Sequence, residues 1–267
     1  MTATTYLAPS RAGSRVADAV SDHLTMTGRS LRHAVRSPDS MITAIALPVF
    51  ILLLFVYVFG GAIHTGTAYL NYVVPGIILL SATWGASQTA VGVCADVTGG
   101  IVDRFRAMAI VPSSVLTGQV ISSALRNLVS TAIVIGVATA MGFRPSATAT
   151  EWLAAIGMIK VFVLAVSWLC ACLGLLANSA EAAGGFTFLL LFLPYVSSAF
   201  VPVGSMPGWL RGFAAHQPVT PVIETVRGLL SGTAIGDSAW IAVGWCLGLG
   251  AVGFAAACLL FARRGAR

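Results

Sequence analysis

Six apolar runs, each near the length that crosses a bilayer, constrain this chain more than any other feature. A helix needs about 20 predominantly apolar residues to traverse about 30 Å of hydrocarbon. Runs of that kind lie over residues 41–63, 71–94, 116–142, 152–177, 181–202 and 238–262. The chain is 57% hydrophobic and 9% charged, against roughly 25% charged in soluble domains. A soluble core could not hide that much apolar surface, so the expected fold is an all-α integral membrane protein with six transmembrane helices. Only Asn178, Ser179 and Glu181 interrupt the apolar sequence between the fourth and fifth runs, which predicts a tight hairpin there.

Three segments divide the chain. Residues 1–14 have no periodicity and read as a disordered N-terminus. Val16, Val20, Leu24, Leu31 and Val35 then recur on one helical face, with Arg29, Arg32 and Arg36 off it. Residues 15–38 are therefore expected to form an amphipathic helix on the cytoplasmic membrane surface, closed by Pro38. Residues 39–267 form one six-span membrane domain. The long polar stretch before the first run marks that run as a retained span rather than a cleaved segment.

Arginine placement orients the spans. With both termini in the cytoplasm, Arg11, Arg15, Arg29, Arg32, Arg36, Arg104, Arg106, Arg263, Arg264 and Arg267 lie inside, and only Arg144, Arg211 and Arg227 outside. The net charge of +6 thus marks topology in a cytoplasmic membrane rather than a nucleic-acid surface. Residues 202–237 become an external connection, broken by Pro207, Pro218 and Pro221 into apolar pieces too short to span. These pieces read as re-entrant or interfacial half-helices, with Trp209 at the interface.

The loop from Ala95 to Pro112 concentrates charge in a chain that has little. Gly99 and Gly100 end the second span. Ile101, Phe105 and Met108 then share one helical face, with Asp103, Arg104 and Arg106 on others. Such a helix has an apolar seat and a charged edge, and can dock in a groove on a soluble partner. Its plainer alternative is an interfacial helix between spans.

Other chemistry is sparse. A phosphate-binding loop needs GxxxxGK followed by Ser or Thr, and the only lysine, Lys160, lies between Ile159 and Val161. Any ATP must bind another polypeptide. The four histidines are scattered, no HExxH or GxSxG occurs, and the five cysteines form no CxxC pair. No catalytic residue, bound cofactor or metal site is expected. Arg126 and Lys160 fall inside spans, at about 2.5–3.5 kcal/mol each unless paired, hydrated or snorkelled. Either they line a polar path or couple helices, or they bond to carbonyls of neighbouring helices.

Taken in order, several segments resemble the membrane subunit of ABC type-2 exporters, within it the daunorubicin-resistance-like permeases. They are VVPGIILL (73–80), Asp96, Gly100, DRFR (103–106), LRNLV (125–129), GFRP (142–145) and the block 197–230. The resemblance implies a permease dimer, of two copies or of close homologues, driven by two copies of a separate ATPase subunit that binds ATP and Mg. It implies that Asp96–Met108, with Asp96, Gly100, Asp103, Arg104, Phe105 and Arg106, is the helix that docks on the ATPase. The PGWL and QPVTP pieces, with Pro207, Trp209, Pro218 and Thr220, are similar to outer re-entrant helices that cap the path. Arg126 matches an arginine that recurs in such permeases. After DRFR the chain departs from the pattern: a basic residue is missing and Pro112 is displaced. The expected activity is alternating-access export of an amphipathic drug-like or lipidic compound along a path lined by spans one, two and five. Trp84, Phe186, Tyr195 and Phe200 are candidate lining aromatics. Export of a complex lipid or polyprenyl-linked glycan is the alternative, with a secondary transporter or membrane assembly factor as different classes.

Overall fold

The computed structural model describes residues 38–100 and 112–264. The N-terminal segments expected over 1–14 and 15–38 lie outside the described residues, Pro38 excepted. So do Asp103, Arg104, Phe105 and Arg106.

The described chain is helical throughout. Helix α1 (Pro38–Leu53) runs on into a π-helical stretch, Leu54–Phe59. It is followed by α2 (Tyr69–Thr98), α3 (Pro112–Ala140), α4 (Ala149–Leu176) and α5 (Ala180–Tyr195). After a short 3-10 turn come α6 (Gly208–His216), α7 (Val219–Ser231) and α8 (Ser238–Arg264). Each expected span coincides with a helix. Four of them, α2, α3, α4 and α8, are long and apolar enough to cross a membrane, while Ile45–Phe59 and Ala180–Tyr195 are shorter apolar helices.

Local chemistry sets the ends. Thr148 and Glu151 form a reciprocal capping box that starts α4. Gly99 caps α2 and Gly100 takes a left-handed φ of 68°, which stops the helix where the glycine pair predicts. The α4–α5 hairpin is as tight as expected: Ala177, Asn178 and Ser179 alone connect the helices, and the Ser179 hydroxyl accepts from Ala182 N at 3.2 Å.

The fifth span differs from expectation. Hydropathy carries it through Pro202, yet helix α5 stops at Tyr195. Its 16 residues cover about 24 Å. Pro194 has no N–H for the last turn, and the backbone from Val196 onwards turns away while remaining buried at Ser197, Ser198, Ala199 and Phe200.

Helix α2 is the centre of the bundle, packed against α4, α3, α5 and α1, while α8 leans on α4. Small residues allow the close approaches. A Cβ at Gly174 of α4 would stand 2.4 Å from the Ala90 carbonyl oxygen of α2, and one at Gly253 of α8 2.7 Å from Leu169 N of α4. The α2–α3 seam is polar. Asp96 accepts from Gln119 Nε2 at 2.7 Å, Ser123 Oγ donates to Gly85 O at 3.3 Å, and the hydroxyls of Ser81 and Ser130 share a 2.9 Å bond. Antiparallel register between the two helices follows from these three pairs.

Gly174→Val is expected to force α2 and α4 apart and lower the detergent-solubilised melting temperature, at a cost of about 1–3 kcal/mol. Gly157→Val, where an added Cβ meets nothing within 4 Å, should leave the melting temperature nearly unchanged in the same fluorescence assay.

Candidate functional site

Two constructions stand out: an apolar groove on the flank of the bundle and a polar knot at the end carrying α6 and α7.

The groove lies between α1, α2 and α5. Leu47, Pro48 and Ile51 of α1, Leu80 and Trp84 of α2, and Phe188, Leu191, Phe192 and Tyr195 of α5 enclose about 320 Å³. That volume falls at the small end of ligand pockets, and its lining is apolar with Trp and Tyr edges. Helical spacing explains the set: Leu80 and Trp84 are one turn apart on α2, as are Phe188 and Phe192 on α5. The rings continue beyond the cavity. Phe188 meets Phe192 edge-on at 5.0 Å, Tyr195 stacks on Phe200 at 5.4 Å, and Phe200 stacks on Phe55 of the π-helical stretch at 4.1 Å.

Of the aromatics expected to line a path, Trp84 and Tyr195 face this groove. Phe200 is 4% exposed and sits behind it, sandwiched between Phe55 and Tyr195. Phe186 is exposed, but two residues from Phe188 on a helix places it on another face of α5, outside the groove. Arg126 is at the middle of α3, half-buried. Lys160 is exposed on α4, in a stripe with Leu153, Ile156 and Leu164.

The polar knot satisfies the backbone that α5 abandons. Gln217, between α6 and α7, is buried and donates from Nε2 to the carbonyls of Leu193 at 3.0 Å and Val196 at 3.4 Å. Arg227 of α7 donates from Nη2 to Ser198 O at 2.6 Å and from Nε to Tyr72 O of α2 at 3.2 Å. Its third nitrogen, Nη1, pairs with Glu224 at 2.8 Å, and its guanidinium lies 3.8 Å from the centre of the Tyr72 ring. Tyr69 adds a hydrogen bond from its hydroxyl to Phe200 O at 3.1 Å. Of these residues Gln217 was read only within the QPVTP piece and Arg227 only as an external charge, and Tyr69 was not singled out by the sequence. The available signal was Glu224 and Arg227 three apart on one face of a short, otherwise apolar helix.

The Pro-broken segment takes its shape around this knot. Pro207 precedes α6, whose Trp209 is 81% exposed. Arg211 ties α6 back to the 3-10 turn through Gly204 O at 2.8 Å. Pro218 precedes α7, and Thr220 donates to Ala214 O at 2.6 Å, closing the angle between the two helices. Helix α7 packs its buried face, including Val222, Ile223 and Val226, against α4, α8 and α2. At the opposite end, Asp96 is held by Gln119, and Gly100 releases the chain from α2.

Arg227→Ala should destabilise the fold by about 3 kcal/mol or more, because charge-assisted hydrogen bonds count for about 1.5–3 kcal/mol each and buried carbonyls are left without donors. Arg227→Lys should recover only part of this, since an ammonium cannot fork to Tyr72 O and Ser198 O together. Thermal unfolding of both variants, with limited proteolysis after Tyr195, reads the difference.

The ABC-2 type transporter family matches residues 23–230. The daunorubicin resistance ABC transporter permease protein DrrB1 of Streptomyces coeruleorubidus is 30% identical over 220 residues, which cover 82% of this chain and 78% of that protein. The probable doxorubicin resistance ABC transporter permease protein DrrC of Mycobacterium tuberculosis (strain CDC 1551 / Oshkosh) is 28% identical over 215 residues, 80% of this chain and 78% of that protein.

Proposed function

The chain belongs to the ABC-2 type transporter family, and from that premise we propose that it is the permease subunit of an exporter that moves an amphipathic drug-like or lipidic compound out of the cell. The observation that carries this reading is the reach of α2. One rigid helix of 30 residues, about 45 Å long, contributes Asp96 at one end, Trp84 to the groove, and Tyr72 to the Arg227 knot at the other. A displacement applied at the Asp96 end is therefore transmitted to both.

Both termini lie in the cytoplasm. Two copies of a separate ATPase subunit bind ATP and Mg and dock on Asp96–Met108, with Gly100, Asp103, Arg104, Phe105 and Arg106 at the contact. Two permease protomers, identical or closely homologous, enclose the path, and the groove of α1, α2 and α5 admits the apolar body of the substrate from the side. Closure of the ATPase pair shifts α2 and α3, opening the path past the Arg227 knot. The α6–α7 pair, with Pro207, Trp209, Pro218 and Thr220, is the re-entrant cap on the outer side. The named activities of the two relatives, resistance to daunorubicin and doxorubicin, support an aromatic amphiphile as the substrate class. No catalytic step belongs to this chain.

Mild-detergent purification from the native membrane should recover a soluble P-loop ATPase in stoichiometric amount. Asp103→Ala with Arg104→Ala should preserve permease folding, reduce ATPase association by about tenfold and abolish transport. Undiminished association and transport in that double variant would overturn the docking assignment.

A further inference from the structure

The two helix ends that flank the charged segment are pinned to each other. Helix α2 ends at Thr98 and α3 begins at Pro112, so a force on the residues between them enters the bundle through these ends. In the last turn of α2 the Asp96 carboxylate accepts from Gln119 Nε2 at 2.7 Å. Gln119 stands about two turns into α3. Its amide lies over Gly92, one turn before Asp96 on the same face of α2. A Cβ at Gly92 would stand 3.3 Å from Gln119 Oε1 and 3.7 Å from Nε2. A bare backbone to lie on and a carboxylate to donate to make a socket for this one side chain.

The same ends share an apolar cluster. Val93 of α2 and Leu116 and Val120 of α3 are buried together with Leu175 of α4 and Phe261 of α8. Farther along the seam the bonds are neutral: Ser123 Oγ to Gly85 O at 3.3 Å, and Ser81 with Ser130 at 2.9 Å. Of these cross-seam bonds only the one from Gln119 to Asp96 involves a charge, and charge-assisted hydrogen bonds are about twice as strong as neutral ones. The two helices are thus held most firmly where the chain leaves them.

We propose that Asp96 is a positioning residue for coupling: acting through Gln119, it locks the ends of α2 and α3 together, so that a push from the ATPase moves the two helices as one body. This rests on the charged segment being the ATPase contact. The resemblance groups Asp96 with the docking residues, but its carboxylate is engaged by the neighbouring helix, and its contribution is made through α3. Without the pin the ATPase still docks, the two ends part under its push, and less of the movement reaches the groove.

The test uses the permease–ATPase complex in nanodiscs, with a bimane label on Phe188→Cys. Phe188 and Trp84 both line the groove, so quenching of the label by Trp84 reports the groove's shape. Addition of ATP and vanadate should change the emission of the native complex. Gln119→Ala and Asp96→Ala should each keep ATPase association within about twofold, reduce the ATP-driven change about fivefold, and lose no more when combined. Gln119→Glu alone sets two carboxylates against each other and should be as poor. Asp96→Asn with Gln119→Glu exchanges donor and acceptor and should restore most of the response, which a packing role for either side chain would not predict. Where an alanine variant is too unstable to purify, this exchange decides the matter. An additive loss in the double alanine variant, no rescue by the exchange, or a full response in all variants overturns the pin. Loss of ATPase association in Asp96→Ala but not in Gln119→Ala makes Asp96 a direct contact and overturns it too. Asp103→Ala with Arg104→Ala is the control for the docking reading. Undiminished association there, or no ATP response in the native complex, overturns that reading and this inference with it, whereas a failed exchange beside a normal control removes the pin alone.

Discussion

The arrangement depends on giving hydrogen-bond partners to a stretch of backbone that leaves the helix while still buried. Irregular backbone at membrane depth is tolerated only where protein or water satisfies it. After Tyr195 the chain does this with borrowed donors. Arg227 and Gln217 reach in from the α6–α7 segment and Tyr69 from α2. Arg227 is suited to the work because its fork holds two carbonyls from different elements while Glu224 and the Tyr72 ring balance its charge. The knot therefore fixes α7 to α2 and to the end of α5 at a single residue. Because α5 ends early, Tyr195 and Phe200 can turn onto Phe55 and close one end of the groove.

Around α2 the bundle uses two kinds of contact. Toward α4, glycine and alanine bring backbones together, and Ala90 faces Gly174 with no room for another carbon. Toward α3, hydroxyls and amides pair across the seam, a usual bond between helices where water is excluded. Around the groove, toward α1 and the aromatic face of α5, the described lining is apolar and contains no glycine. Large rings and branched aliphatics meet there without filling the space, and the cavity remains. A ligand site of this kind arises where close packing is withheld, between helices whose relative position is already fixed elsewhere.

Much of the fold was legible in the sequence. Apolar run length marked the four long helices and the two shorter apolar ones, Gly99–Gly100 marked the end of α2, and Pro207 and Pro218 marked the breaks before α6 and α7; Pro221, expected as a third break, lies instead in the first turn of α7, where a missing N–H costs nothing. These are local properties: the cost of exposing an apolar run, or of asking proline for a hydrogen bond, does not depend on distant residues. The error in α5 came from the same source. Val196, Ala199, Phe200 and Val201 are apolar enough to extend a span, and hydropathy records burial, which is correct there, but not backbone conformation.

The site was legible only in fragments. Trp84 and Tyr195 could be named as aromatic and mid-span, yet so could Phe186 and Phe200, and composition cannot separate a ring that lines a groove from one that packs behind it. Arg227 read as one more charge outside the membrane, because its partners, Ser198 and Tyr72, are 29 and 155 residues away in sequence. By itself the sequence determined that this is a helical membrane protein and where most of its helices begin and break, since these follow from the solvation of each segment taken alone. Only the tertiary structure decided which helices enclose the groove and which carbonyls Arg227 holds, because each depends on the register between helices, set by glycine contacts and hydroxyl pairs that no single segment contains.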